Sequence, residues 1–224
     1  MKLWISNKLR KILSLFSRLP QKHPKRFVYA AMGDSTVEGI GASHHSKSYP
    51  SLVFEKIKLT HPNCQYHNFG KSGDRIRNVI ENQLPLVLAL KPNLVTISIG
   101  ANDIRGRVKL SQFEKDLTYL VNALQRKTNA KIIINNIPDF SALPTLPIYI
   151  RIASKILIHR FNKSIEKVSE NFGLTLVDIF KLSRQFCRQW RNFISNDGYH
   201  PSDAGYALWA KAVTDSLKLN ISYN

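Results

Sequence analysis

Phe27-Val28-Tyr29-Ala30-Ala31-Met32-Gly33-Asp34-Ser35 is an apolar run closed by a glycine, a carboxylate and a hydroxyl. A short apolar run ended by such residues suits a buried strand. It would deliver Ser35 to the strand's carboxyl end. Four more runs have the same character: Gln65–Phe69, Leu94–Ile99, Lys131–Asn136 and Leu174–Asp178. The β-branched residues of Leu94–Ile99 and Ile132–Ile134 favour strand over helix there. Helical patterns separate the runs, at Ser48–Leu59, Arg75–Leu90, Ser111–Lys127, Tyr149–Phe172 and from Ser202 to Leu217. Ser111 with Glu114 three residues on has the form of a capping box. In Tyr149–Phe172, Ile152, Ile156, Leu157, Phe161, Ile165 and Val168 recur at helical spacing. Strands alternating with helices predict an α/β fold, a parallel sheet covered on both faces. In such sheets ligands bind beyond the carboxyl ends of the strands.

Four small motifs fall at those ends or just before the last helix. They are Gly33-Asp34-Ser35, Asn68-Phe69-Gly70-Lys71-Ser72-Gly73, Gly100-Ala101-Asn102-Asp103 and Asp197-Gly198-Tyr199-His200-Pro201. Each has a plain structural reading: Asp34, Ser35 or Asn102 as a helix cap, Gly70 and Gly100 as turn glycines, His200 as a loop histidine. Their common placement on one sheet edge points instead to a nucleophilic site. A serine hydroxyl needs a base, for which His200 is placed. Asp197 would orient the imidazole and stabilise its charged form. The N–H groups of Ser35 and Gly70 and the amide of Asn102 would receive an oxyanion.

Those four blocks resemble the SGNH hydrolases, the GDSL esterase/lipase family, with Ser35, Gly70, Asn102 and His200 at the positions for which the family is named. The resemblance runs from residue 27 to about 217. It implies a flavodoxin-like, three-layer α/β/α sandwich with a five-stranded parallel sheet. It also implies hydrolysis of carboxylic esters through an acyl-enzyme, with no metal and no cofactor. Within that activity a lysophospholipid, a fatty ester, an acyl thioester or a carbohydrate acetate is an alternative substrate. The first block reads Gly-Asp-Ser-Thr where the family has Gly-Asp-Ser-Leu; Thr36 carries no assigned catalytic role.

Other motifs fail. A Gly-x-Ser-x-Gly elbow is absent because position 37 is Val. A phosphate-binding loop ending in Gly70-Lys71-Ser72 lacks its first glycine, since position 65 is Gln. His44, His45, His67 and His159 have no spacing that suggests a metal site.

After the fourth strand run comes Pro138-Asp139-Phe140-Ser141-Ala142-Leu143-Pro144-Thr145-Leu146-Pro147-Ile148-Tyr149, an apolar connection. Loops at strand ends usually carry function, so Phe140, Leu143, Leu146 and Ile148 are expected to wall an acyl pocket; a rigid loop packed on the core is the alternative. Similar Leu-Pro-x-Leu-Pro segments occur in lysophospholipase- or esterase-like members of the family, which favours a lipid ester.

The chain has 224 residues, 43% apolar and 21% charged, which suits one globular domain. Net charge is +18. Eight bases and no acid lie in the first 26 positions, leaving 25 bases against 15 acids on the rest. Pro20 and Pro24 separate an N-terminal segment, residues 1–24, from a hydrolase domain at 25–224. Residues 1–19 mix bases with Leu, Ile, Trp and Phe and read as a basic amphipathic helix, lying on an anionic membrane or packed on the domain. They are too interrupted for a signal peptide or a membrane span. The expected location is therefore cytoplasmic, with peripheral membrane association an option. Two cysteines, Cys64 and Cys187, make no disulfide framework. The expected partner is a small-molecule or lipid ester. No nucleic-acid motif accompanies the charge; a non-catalytic basic module binding membrane or nucleic acid is the competing class.

Overall fold

The computed structural model describes residues 26–143 and 145–217. The 1–24 segment and its expected helix lie outside the described residues. Five strands, β1 (Val28–Gly33), β2 (Gln65–Asn68), β3 (Leu94–Ser98), β4 (Lys131–Asn135) and β5 (Thr175–Val177), form one sheet in the order β2-β1-β3-β4-β5. Every neighbouring pair is parallel. Each strand lies within two residues of a run picked out by apolar content.

The alternation of side chains along the strands makes two cores. Ala30, Met32, Val95, Ile97, Ile132 and Ile134 face one way. They meet the helical stretch Ile76–Leu90, α6 (Leu110–Lys127) and α7 (Ile148–Asn171). Tyr29, Ala31, Leu94 and Ile133 face the other way, onto α2 (Tyr49–Thr60) and α10 (Asp203–Leu217). The result is the expected α/β arrangement with helices on both faces. Short helices follow the strand ends: α1 (Ser35–Glu38) after β1, α5 (Ala101–Arg105) after β3, and α8 (Ile179–Arg188) with α9 (Trp190–Phe193) after β5.

Three details depart from the sequence reading. Ile76–Leu90 is not one regular helix: α3 (Ile76–Asn78) and α4 (Leu84–Leu90) flank a π-helical turn at Val79–Gln83. Ser111–Glu114 is not a capping box, because α6 starts at Leu110 behind an extended Lys109 and has no side-chain cap. The Glu114 carboxylate instead accepts from Ser164 Oγ at 2.9 Å and Lys167 Nζ at 2.6 Å, tying α6 to α7. In α7 the apolar stripe splits. Ile158, Phe161, Ile165 and Val168 are buried, whereas Ile152 and Ile156 are exposed.

Candidate active site

The strand order reverses between β1 and β3, and a crevice opens there beyond the strand ends. Ser35 hangs over β1 and Asn102 over β3, so the topology brings together residues far apart in sequence.

The turn that carries Ser35 is fixed by packing. Gly33 has φ 146°, and a Cβ there would come within 1.9 Å of Ser98 O. Only glycine lets β1 end this close to β3. Both backbone polar groups of Gly33 are held by one side chain. Gln83 Oε1 accepts from Gly33 N at 2.9 Å, and Gln83 Nε2 donates to Gly33 O at 2.8 Å. The π-turn places Gln83 there, and Nε2 also donates to Asp74 Oδ2 at 2.9 Å. Asp34 then caps α1: Oδ1 accepts from Thr36 N at 3.0 Å and Thr36 Oγ1 at 2.9 Å. The Thr36 hydroxyl, read from sequence as having no role, also lies 3.2 Å from Ser98 Oγ. Burial pushes the Asp34 carboxyl up to about 6, against the pull of both Thr36 hydrogen bonds.

Ser35 is the first residue of α1 and is nearly buried. Its Oγ lies 3.0 Å from His200 Nε2. The other ring nitrogen, Nδ1, lies 2.6 Å from Asp197 Oδ2. These partners assign the neutral tautomer: Nδ1–H donates to the carboxylate, and Nε2 accepts from the serine hydroxyl. Asp197 Oδ1 accepts from Ser195 Oγ at 2.7 Å, Tyr199 N at 2.8 Å and His200 N at 2.9 Å. Partial burial works to raise the Asp197 pKa. The hydrogen bonds from the His200 ring and backbone, Ser195 and Tyr199 outweigh it and hold the carboxyl far below the usual range. The arrangement can draw a proton from a hydroxyl and keep the resulting imidazolium paired.

The expected oxyanion donors stand as follows. No acceptor within the described residues takes the Ser35 backbone N–H. Asn102 Nδ2 donates one hydrogen to Asp74 O at 3.1 Å, leaving its second for a ligand. Gly70 N donates to Asn68 Oδ1 at 2.9 Å, so an oxyanion there would share or displace an amide. A Cβ on Gly70 would lie 2.4 Å from Glu38 N, so only glycine brings this loop so close to α1.

Ser35, Asn102 and His200 line one cleft of about 740 Å³, counted to its open mouth. Its walls include Ile99, Ile137, Phe140, Leu143, Ile179 and Ile194, and Trp209 stacks on Tyr49 beneath. Phe140 and Leu143 are on that wall. Leu146 and Ile148 are not: Leu146 packs partly buried against the core and Ile148 is exposed. Pro147 starts α7 at Ile148 and turns these residues away. Ile137, Ile179, Ile194, Gln83 and Trp209 were missed, because they read only as core or loop residues. Thr145 Oγ1 donates to Gly198 O at 2.8 Å, joining the proline-rich loop to the histidine loop.

A model of the GDSL-like lipase/acylhydrolase family matches residues 31–208. The chain belongs to that family. No curated protein sequence matches it significantly. Among solved structures, this GDSL hydrolase is similar to an α/β hydrolase enzyme from the metagenome of Lake Arreo, Spain (TM-score 0.71, 22% identity, 88% of this chain and 97% of that one). It is also similar to a variant of an acetyl xylan esterase from Geobacillus stearothermophilus (TM-score 0.69, 20% identity, 88% and 97%). A third is a lipase/acylhydrolase from Enterococcus faecalis (TM-score 0.69, 22% identity, 88% and 100%). At these identities the likeness establishes the shared fold. The GDSL hydrolase is accordingly a carboxylic ester hydrolase. No helix among the described residues is long and apolar enough to cross a membrane.

Proposed function

We propose that this GDSL hydrolase cleaves carboxylic esters with Ser35 as nucleophile, His200 as general base and acid, and Asp197 as the group that orients it. The observation that carries the reading is the continuous chain Ser35 Oγ to His200 Nε2 at 3.0 Å and His200 Nδ1 to Asp197 Oδ2 at 2.6 Å. Ser35 Oγ attacks the ester carbonyl carbon while its proton passes to Nε2. The tetrahedral oxyanion takes the Ser35 N–H, the second Asn102 N–H and the Gly70 N–H. Collapse expels the alcohol, which receives the proton from Nε2. Water, activated by the same nitrogen, then releases the acid and restores Ser35.

The acyl group is an alkyl chain longer than acetate. Branched aliphatic side chains and Phe140 line the cleft beside Ser35, and each methylene buried there is worth roughly 0.8 kcal/mol. The basic segment at residues 1–19 fits a lipid-associated ester and peripheral contact with anionic membrane.

The test is kcat/KM on p-nitrophenyl acetate, butyrate and octanoate. We expect a rise along the series of about threefold to fourfold per methylene until the wall is covered. Ser35→Ala should abolish hydrolysis of all three, a loss of at least about ten-thousandfold. A maximum at acetate would turn the substrate reading toward carbohydrate acetates. Retained activity in Ser35→Ala would remove the triad.

A further inference from the structure

The first three turns of α7 carry apolar side chains on the side away from the core. Ile148 is 64% exposed, Tyr149 71%, Ile152 61% and Ile156 60%. Ile148, Ile152 and Ile156 are four residues apart and form one ridge along the helix. Isolated exposed apolar residues are ordinary, but a contiguous ridge of them marks an interaction surface.

Charge on the ridge has one sign. Arg151, Lys155, Arg160 and Lys163 lie on the same helix, and no Asp or Glu occurs between residues 141 and 164. A groove at the start of the helix joins Ile148 and Ile152 to Arg151, Lys155 and Arg184. It also touches Asp139, which lines the active-site cleft. Arg151 Nε is tied to Ser141 O at 3.0 Å, and Arg184 Nε lies 3.8 Å from Asp139 Oδ2. The basic ridge therefore adjoins the wall of the cleft.

Charge decides among the occupants. A second copy packed through the same face would bring the same basic helix and be repelled, and each copy carries a net charge of +18. The chain's own N-terminal segment carries eight bases and no acid in its first 26 residues and would be repelled too. An anionic lipid surface satisfies both features: its headgroups pair with the bases, and its acyl layer takes the protruding isoleucines without needing a matching shape.

We propose that the outer face of α7, from Ile148 to Lys163 with Arg184 beside it, docks this hydrolase on an anionic lipid surface and sets the cleft mouth against it. The surface would supply amphiphilic acyl esters to Ser35; that purpose rests on the ester-hydrolase reading, whereas the docking does not.

The test uses the full chain carrying Ser35→Ala, so that binding is measured without hydrolysis. It is sedimented with phosphatidylcholine vesicles and with vesicles of mixed phosphatidylcholine and phosphatidylglycerol. We expect binding to the mixed vesicles, weak binding to the neutral ones, and a decline with added salt. Adding Ile152→Glu and Ile156→Glu should lower partitioning at least about tenfold. Both positions are exposed and lie outside the cleft lining. The same pair in the Ser35 chain should leave hydrolysis of p-nitrophenyl butyrate and the circular dichroism spectrum unchanged. Partitioning untouched by the two glutamates would overturn the proposal. So would faster tryptic cleavage within residues 1–26 in the double variant with unchanged partitioning, which would give the ridge to the N-terminal segment. Docking with no hydrolysis of any soluble ester would defeat the ester-hydrolase reading and leave the docking surface standing.

Discussion

Ser35 sits on a turn fixed from three sides, whereas Asp197 and His200 sit on a loop that fixes itself. The serine turn is clamped by Gln83 below, Ser98 beside and Thr36 above, and its backbone is buried in the sheet edge. The histidine loop runs over the surface, and the Asp197 side chain is 41% exposed. Its shape depends on Asp197 itself, which gathers Ser195, Tyr199 and His200, and on the bridge between Ile194 and Pro201. Gly198, at φ 70°, provides the left-handed turn between them. Ser35 thus inherits its position from the fold, while His200 takes its position from the Asp197 carboxylate.

That contrast predicts that one substitution in the loop costs catalysis and one under the turn costs stability. Asp197→Asn removes the negative partner of Nδ1 and offers that nitrogen a donor, favouring the wrong tautomer. We expect kcat to fall on the order of ten-thousandfold; a loss below tenfold would show that His200 is oriented by something else. Gln83→Met keeps the bulk and leaves Gly33 N–H unpaired in a buried site, while Gly33 C=O keeps its bond from Lys71 N at 3.1 Å. The orphaned N–H costs about 1–3 kcal/mol, so urea denaturation should show a loss of about that size. An unchanged midpoint would mean that the turn is held without the clamp.

The smallest expected effect concerns the buried carboxyls beneath the turn. Asp103 is fully buried, accepts from Ile76 N at 3.1 Å, and has its pKa pushed up to about 6, chiefly by burial. Its folded value exceeds the unfolded value of about 3.9. The native state therefore binds the proton more tightly, and this group's contribution falls as pH rises from about 4 to 6. Asp103→Asn should flatten the decline in stability over that window, and urea midpoints at both ends measure it. An unaltered slope would assign the decline elsewhere. Asp197 has the opposite sign: its depressed pKa contributes stability that is present above about pH 4 and lost below it.

The same contrast explains what could be read from the chain. β1, β3 and β4 stand out because buried parallel strands are continuous apolar runs, and Ser35, Gly70, Asn102 and His200 stand out because each closes a run or opens a helix. Gln83 did not, because its neighbours read as an ordinary helix and a π-turn has no distinct apolar period. Ile179 and Ile194 were hidden because an apolar residue on a cleft wall looks like one in the core. Ile148 and Leu146 were assigned to the cleft on loop position alone, and the start of α7 at Ile148 redirects them. Ile152 and Ile156 share a helical period with Phe161 and Ile165, and only the packing shows that they face outward.

The most direct measurement is covalent trapping of the nucleophile. An organophosphonate fluoride is incubated with the full chain, and the adduct is located by peptide mass spectrometry. The triad geometry predicts a single phosphonyl group on Ser35, with parallel loss of ester hydrolysis, and labelling slowed at least a hundredfold, roughly the contribution of one general base, in His200→Ala. Labelling of a different serine, or inactivation that leaves Ser35 unmodified, would contradict the assignment.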